Sequence, residues 1–263
     1  MNTCELFGIP LALIDQEGLL EVVGDWITES GSRLPPAPRL ISYVNTHCLN
    51  LAHQDEAYRG VLTSFDLVYA DGLGVVWAAQ WLRRARLHKL TGADWVGAFC
   101  RRAEQHGWRV YILAGAPGVA QQARIRLRRA YPALDIVGVG DGFFAHKDEE
   151  EVLQEIARLR PDILLVGMGV PKQEKWIAYH RDGLAVKICW GVGALFDYVA
   201  GIEPRAPRWM RNLGLEWLWR MGVDPGGKWK RYALGIPWFL ARVWRRKYEQ
   251  LSASLFREQK TTE

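Results

Sequence analysis

The hydrophobic pattern of this chain alternates short apolar runs with longer stretches of helical spacing. The runs ISYVN (41–45), DLVYA (66–70), RVYILAG (109–115), LDIVGVG (134–140), DILLVG (162–167) and AVKICWG (185–191) read as strands. Between them, residues 46–59, 73–86, 93–106, 118–130, 148–160 and 172–182 repeat their apolar positions as an amphipathic helix does. Strand and helix in alternation predict an α/β fold: a Rossmann-like, mostly parallel sheet with helices on both faces. Residues 1–38 form a mixed apolar segment ending in the stiff LPPAPR.

From Pro204 the pattern changes. Residues 209–222 look helical, DPGGKWKRY marks a break, and 232–249 read as an amphipathic helix with Pro237 expected to kink it. The pattern divides the chain into a catalytic-type domain, 1–203, and a helical appendage, 204–263. Thirteen tryptophans in 263 residues are unusual, and tryptophan favours surfaces that are wet on one side and apolar on the other. The net charge of +5 is concentrated in the appendage, where 13 Lys/Arg stand against 6 Asp/Glu from Glu203 onward. Basic charge among Trp238, Phe239 and Trp244 suits a helix lying in a lipid headgroup layer. The run YALGIPWFLA is too short to span a bilayer. Asp15 and Glu17 interrupt the first apolar stretch, so no signal peptide is expected. The four cysteines lie far apart and suggest reduced thiols. These features predict a cytoplasmic protein held peripherally on the inner face of the plasma membrane.

Ligands of an open α/β sheet sit at the carboxyl ends of its strands. That rule selects Asn45, Asp71, Lys172, Gln173 and Asp197. Asp71, followed by Gly72 and a helix start, either caps that helix or takes a proton from a hydroxyl acceptor. Gly169 precedes Pro171 and lets backbone approach a ligand, beside a helix start that offers free N–H groups to an anion. Gly115, in the turn Gly115-Ala116-Pro117-Gly118, joins strand to helix in the manner of a ligand-binding turn. It lacks the GxGxxG dinucleotide pattern, which weakens a dehydrogenase reading. Lys89 is a phosphate counter-charge or a solvated lysine. The chain has no Asp-x-Asp pair, so neither a metal nor a cofactor is expected. A departing diphosphate then needs cationic side chains, among which Arg220, Lys230 and Arg231 of the appendage are candidates.

The segments ADGLGVVWAA, LAGAPGVAQQA, YPALDIVGVGDGFF, VGMGVPKQEKWI, GVGALFDYVAG and RAPRWMRNLGLEWLWR occur in one order. Together they resemble the WecG/TagA/CpsF family of bacterial glycosyltransferases over roughly residues 40 to 235. The resemblance implies inverting, metal-independent transfer from a UDP-sugar to a sugar on a polyprenyl diphosphate. It makes Asp71 the base, Asn45, Gln173 and Asp197 substrate-binding residues, and Arg220 a group that closes over the diphosphate at an anionic membrane. Two positions depart from the expected pattern: Tyr43 replaces Thr, and Lys89 replaces Arg. Tyr narrows a pocket, and Lys is not equivalent to Arg at a bidentate site. The expected donor is therefore a hexose for exopolysaccharide assembly, with UDP-glucose a serious candidate. The alternative is UDP-N-acetylmannosamine or its uronic acid. A homo-oligomer is allowed. A nucleic-acid-binding protein and a non-catalytic assembly scaffold are the rival classes; the amphipathic period of the tail argues against the first.

Overall fold

The computed structural model describes the backbone of residues 1–31, 34–145, 148–223, 226 and 229–261, and their side chains except at 212, 230 and 255–261. Its centre is a six-stranded parallel sheet built from β3 (Arg39–Val44), β4 (Leu67–Ala70), β5 (Val110–Ala114), β6 (Ile136–Gly140), β7 (Ile163–Gly167) and β8 (Ile188–Gly191), in the order β4-β3-β8-β7-β5-β6. Side chains of a strand alternate between faces, and the core divides accordingly. Leu40, Val68, Leu113, Leu164 and Cys189 point into one apolar cluster. Ile41, Tyr69, Ile112, Leu165 and Trp190 point into the other. A sheet buried on both faces explains why its strands are continuous apolar runs.

One face is covered by α2 (Thr46–Gln54), α3 (Glu56–Thr63), α4 (Leu73–Arg83), α7 (Glu149–Leu159) and α8 (Lys172–His180). The other carries α1 (Gln16–Ser30), α5 (Gly92–His106), α6 (Val119–Ala130) and α9 (Leu195–Ala200). Trp95 of α5 stacks on Trp190 of β8 at 4.3 Å between ring centroids, which fixes that helix over the sheet.

Several local boundaries differ from the sequence expectation. The predicted 46–59 helix is two, because Asp55 ends α2 and its side chain accepts from the Tyr58 amide to cap α3. The predicted 209–222 helix is α10 (Arg208–Asn212) and α11 (Glu216–Val223), parted at Gly214, whose φ of 72° no helix continues through. Residues 1–38 hold a hairpin of β1 (Thr3–Leu6) and β2 (Ile9–Ala12), then α1 with Asp15 as its cap.

The last helix, α12 (Gly235–Thr261), follows a π-helical turn over Lys230–Leu234. Pro237 follows that turn closely, and the wider π-helical winding accommodates the ring of a residue with no N–H to donate. Phe239 and Val243 of α12 are almost fully buried in the core shared with α2 and α4. Among the described residues no helix is long and apolar enough to cross a membrane. Emptying the Phe239 site should be expensive: Phe239→Ala is expected to cost about 3 kcal/mol and lower the midpoint of thermal unfolding. An unchanged midpoint by circular dichroism would contradict this docking of α12.

Candidate active site

The chain leaves β3, β4, β7 and β8 along one edge of the sheet, and the residues just past those strands enclose a cleft of about 110 Å³. It adjoins a groove of about 270 Å³, with Asn45, Asp71, Thr91, Arg220 and Arg231 lining both. The inner part is bounded by Tyr43, Tyr69, Gly169, Gly193 and Tyr198. The outer part runs between α4 and α12 past Leu73, Ile236, Phe239 and Leu240. One end of this space is polar and cationic, the other apolar.

Asp71 sits at the junction. Its amide bonds to Val44 O at 2.8 Å, tying the end of β4 to β3. The helix that follows is capped by Gly72 at φ 105°, without a side-chain hydrogen bond, so the Asp71 carboxylate is not spent as a cap. It accepts instead from Thr91 Oγ1 at 2.9 Å. Thr91 stands at the cap position of α5 yet makes no capping bond there, because its hydroxyl is turned to Asp71. Burial raises the Asp71 pKa; the Arg220 guanidinium, the Thr91 hydrogen bond and Arg231 oppose the rise. A carboxylate shifted toward neutrality is a stronger general base.

The cations come from the other end of the chain. Arg220 of α11 pairs with Glu216 at 3.2 Å and lies 5.2 Å from the Tyr198 ring centroid. Arg231 has a buried Nε with no hydrogen-bond partner among the described residues. An unpaired buried donor is costly, and an anion in the cleft would satisfy it. Lys89 lines the outer groove, its Nζ 3.9 Å from Asp94, which also holds Arg205 and Arg211.

The structure therefore brings Tyr43, Asn45, Asp71, Lys89, Gly169, Arg220 and Arg231 to one cleft. Asn45 uses its Oδ1 to cap α2, accepting from the His47 and Cys48 amides. The Tyr43 ring packs against Gly193, where a Cβ would collide with the Tyr43 hydroxyl. The absent side chain at Gly193 thus makes room for Tyr43.

The other sequence candidates lie elsewhere. Gln173 is fully buried; its Nε2 donates to Glu174 Oε1 at 2.6 Å and its Oε1 accepts from the Gly193 amide at 2.9 Å. It braces the wall of the cleft rather than facing its contents. Lys172 turns toward Phe143 and Phe144, 5.5 Å from each ring centroid, with its Nζ 3.5 Å from Gly142 O. Gly115, at φ 73°, serves close packing, since a Cβ would lie 2.5 Å from Val119. Asp197 lies in α9, where its backbone carbonyl accepts from Ile202, and it lines neither part of the cleft. The Lys230 side chain is outside the described residues. Thr91, Tyr69, Tyr198 and Glu216 are cleft residues that the strand-end rule did not select; Thr91, just before a helix, reads in sequence as an ordinary cap.

Over most of its length the chain is similar to known glycosyl transferases. The model of the Glycosyl transferase WecG/TagA/CpsF family matches residues 4–253. Over 202 residues the chain is 32% identical to an N-acetylglucosaminyldiphosphoundecaprenol N-acetyl-beta-D-mannosaminyltransferase of Bacillus spizizenii, covering 77% of this chain and 76% of that protein. A protein of the same description from Staphylococcus aureus is 30% identical over 214 residues, covering 78% and 76%.

Behind the cleft, Glu174 adds a titration of its own. It accepts from Ser42 Oγ at 3.0 Å and from Gln173, and its Oε2 is buried without a hydrogen-bond partner among the described residues. Burial pushes its pKa from 4.5 up to about 7, against those hydrogen bonds. A carboxyl whose pKa is raised by folding stabilises fully below its unfolded value, and that contribution is lost as pH climbs through its folded value. Stability should thus fall between pH 4.5 and about 7. Glu174→Gln should remove that slope, narrowing or reversing any deficit against wild type at pH 8 by up to about 3 kcal/mol. Urea unfolding of both proteins at pH 5 and pH 8 checks this; parallel pH dependences would refute it.

Proposed function

The chain belongs to the WecG/TagA/CpsF family of glycosyl transferases, and from that premise we propose that it moves an N-acetylmannosaminyl group from a UDP-linked donor to N-acetylglucosamine carried on undecaprenyl diphosphate. The observation that carries this function is the convergence of Asp71, Thr91, Arg220 and Arg231 on one cleft that continues into an apolar groove. The donor and acceptor are those in the names of the relatives, matched over about three quarters of their length. Those relatives favour the N-acetylmannosaminyl alternative over the glucosyl donor suggested by Tyr43 and Lys89. The packing of Tyr43 on Gly193 supports the same choice, because that contact receives part of the added ring.

In this mechanism Asp71 accepts the proton of the acceptor hydroxyl, whose oxygen attacks the anomeric carbon on the face opposite UDP. The C–O bond to the diphosphate breaks as the new bond forms, and the configuration inverts. Arg220 and Arg231 neutralise charge on the leaving diphosphate in a partly dry site, where such contacts are strongest. Thr91 keeps the Asp71 carboxylate oriented. The apolar end of the groove receives the first part of the lipid.

The protein acts as a peripheral membrane enzyme. Trp81 stacks on Trp77 at 5.1 Å and meets Trp244 edge-on at 4.7 Å, and Trp77 and Trp244 are exposed, at 41% and 63%. This ridge of α4 and α12, with Arg245 and Arg246 nearby, suits the headgroup layer of an anionic bilayer.

Purified protein offered a panel of UDP-sugars and a short-chain N-acetylglucosaminyl lipid diphosphate should yield a product heavier by one N-acetylhexosaminyl unit. Asp71→Asn should slow transfer roughly 10²- to 10⁴-fold while UDP binding persists. Addition of plain hexose would overturn the donor, and near-normal turnover of Asp71→Asn would remove the base.

A further inference from the structure

A second cavity, of about 190 Å³, lies away from the catalytic cleft and shares none of its lining residues. It is enclosed by the β1–β2 hairpin, the ends of α2 and α4, and α12. Four arginines line it, Arg83, Arg242, Arg245 and Arg246, against two glutamates, Glu5 and Glu249. On α12 these arginines occupy a different face from Ile236 and Leu240, which line the catalytic groove.

The charges are incompletely matched. Arg83 Nε donates to Glu5 O at 2.9 Å, with Nη2 3.5 Å from the Glu5 carboxylate. Glu249 serves two cations at once, Arg245 at 3.6 Å and Arg246 at 3.3 Å. Arg242 is more than nine-tenths buried, and its Nη1 is held by Leu49 O and Asn50 Oδ1, each at 3.1 Å. Its guanidinium lies 4.6 Å from the Phe7 ring centroid and 5.4 Å from that of Trp238. Phe7 adopts a φ of 53°, a left-handed conformation costly for a bulky residue, in the two-residue turn that presents its ring to Arg242. Burial and then Arg245 push the Arg242 pKa down to about 10. His53, also in the lining, is lowered by burial and by Arg242, Arg245 and Arg59. Burial is the larger cause of each shift, and the neighbouring arginines add to it in the same direction.

We propose that this cavity is a binding site for a phosphate group, carried by an anionic lipid headgroup or free in solution, which bridges Arg83 to the arginines of α12. Planar guanidinium forks match phosphate oxygens in charge and geometry. An anion here supplies the charge that the two glutamates do not. It also ties the last helix to the hairpin and to α4, on the side of α12 away from the catalytic groove. The proposal goes beyond the sugar transfer and does not depend on it.

The test uses the full chain and two probes. Inorganic phosphate, titrated at constant ionic strength against chloride, should raise the thermal midpoint saturably, as a ligand of the folded state does. Arg242→Met risks misfolding, so exposed partners are replaced instead. Arg83→Gln and Arg245→Gln should each weaken phosphate binding about tenfold or more. Lys247→Gln removes the same charge from α12 outside the cavity, where Lys247 Nζ bonds to Trp81 O, and should leave phosphate affinity within about twofold. The second probe is sedimentation with phosphatidylcholine vesicles, with and without phosphatidylglycerol. Vesicle binding that needs phosphatidylglycerol, falls in Arg83→Gln and is competed by phosphate identifies a headgroup. Vesicle binding indifferent to Arg83, with the phosphate response intact, identifies free phosphate. No saturable phosphate response, a response that Arg83→Gln and Arg245→Gln leave unchanged (as binding at the Arg220 and Arg231 cleft would be), or equal losses in all three variants would overturn the proposal. Because both probes read binding, the result is independent of which sugar is transferred.

Discussion

The seating of α12 on the sheet's helical layer is the contact on which the cleft depends. Phe239 and Val243 reach the same core that α2 and α4 cover, and the chain leading to them carries Arg220 and Arg231 over the end of β4. Without that packing, Asp71 would face solvent and its proton affinity would relax toward that of an ordinary aspartate. With it, burial and opposing cations are balanced at one carboxylate. The cleft is thus assembled from residues about 150 positions apart, joined by apolar burial and by the pairing of Arg205 and Arg211 with Asp94.

A second set of interactions keeps the opposite wall in place. Gln173 spans from Glu174 to the Gly193 amide, so the turn after β8 is fixed from behind by a fully buried side chain. Gly193 in turn lies against Tyr43. A residue that lines neither part of the cleft can therefore govern its width. Gln173 is tolerated there because both its amide nitrogen and its carbonyl oxygen find a partner.

Much of the fold was legible because a sheet buried on both faces writes itself as apolar runs separated by amphipathic stretches. The hairpin at 3–12 was not legible, since its four-residue strands are short and its turn places Phe, rather than Asn or Asp, before Gly8. Of the residues that the strand-end rule selected, Asn45 and Asp71 line the cleft. Lys172, Gln173 and Asp197 line neither part of it, because position in sequence fixes the edge of the sheet but not which way a first-turn side chain points. Gly115 was read as a ligand turn when its role is close packing on Val119. Arg220 lies in α11 and Arg231 in the π-helical turn before α12; the basic charge of the appendage made both candidates, and the family resemblance alone gave Arg220 a particular role. Thr91 carried a cap signal that the fold redirects to Asp71.

The central claim is that Asp71 acts as the base with its proton affinity raised by burial and restrained by Arg220. The pH dependence of kcat/KM for transfer tests it most directly, because only the ionised carboxylate can accept the acceptor's proton. In wild type, activity should fall on acidification with a limb above the ordinary aspartate value of 3.8. In Arg220→Gln the residual activity should show that limb moved to higher pH, since the group that lowers the Asp71 pKa is gone. A limb at or below the ordinary carboxylate range, or one that does not move in Arg220→Gln, would contradict the account.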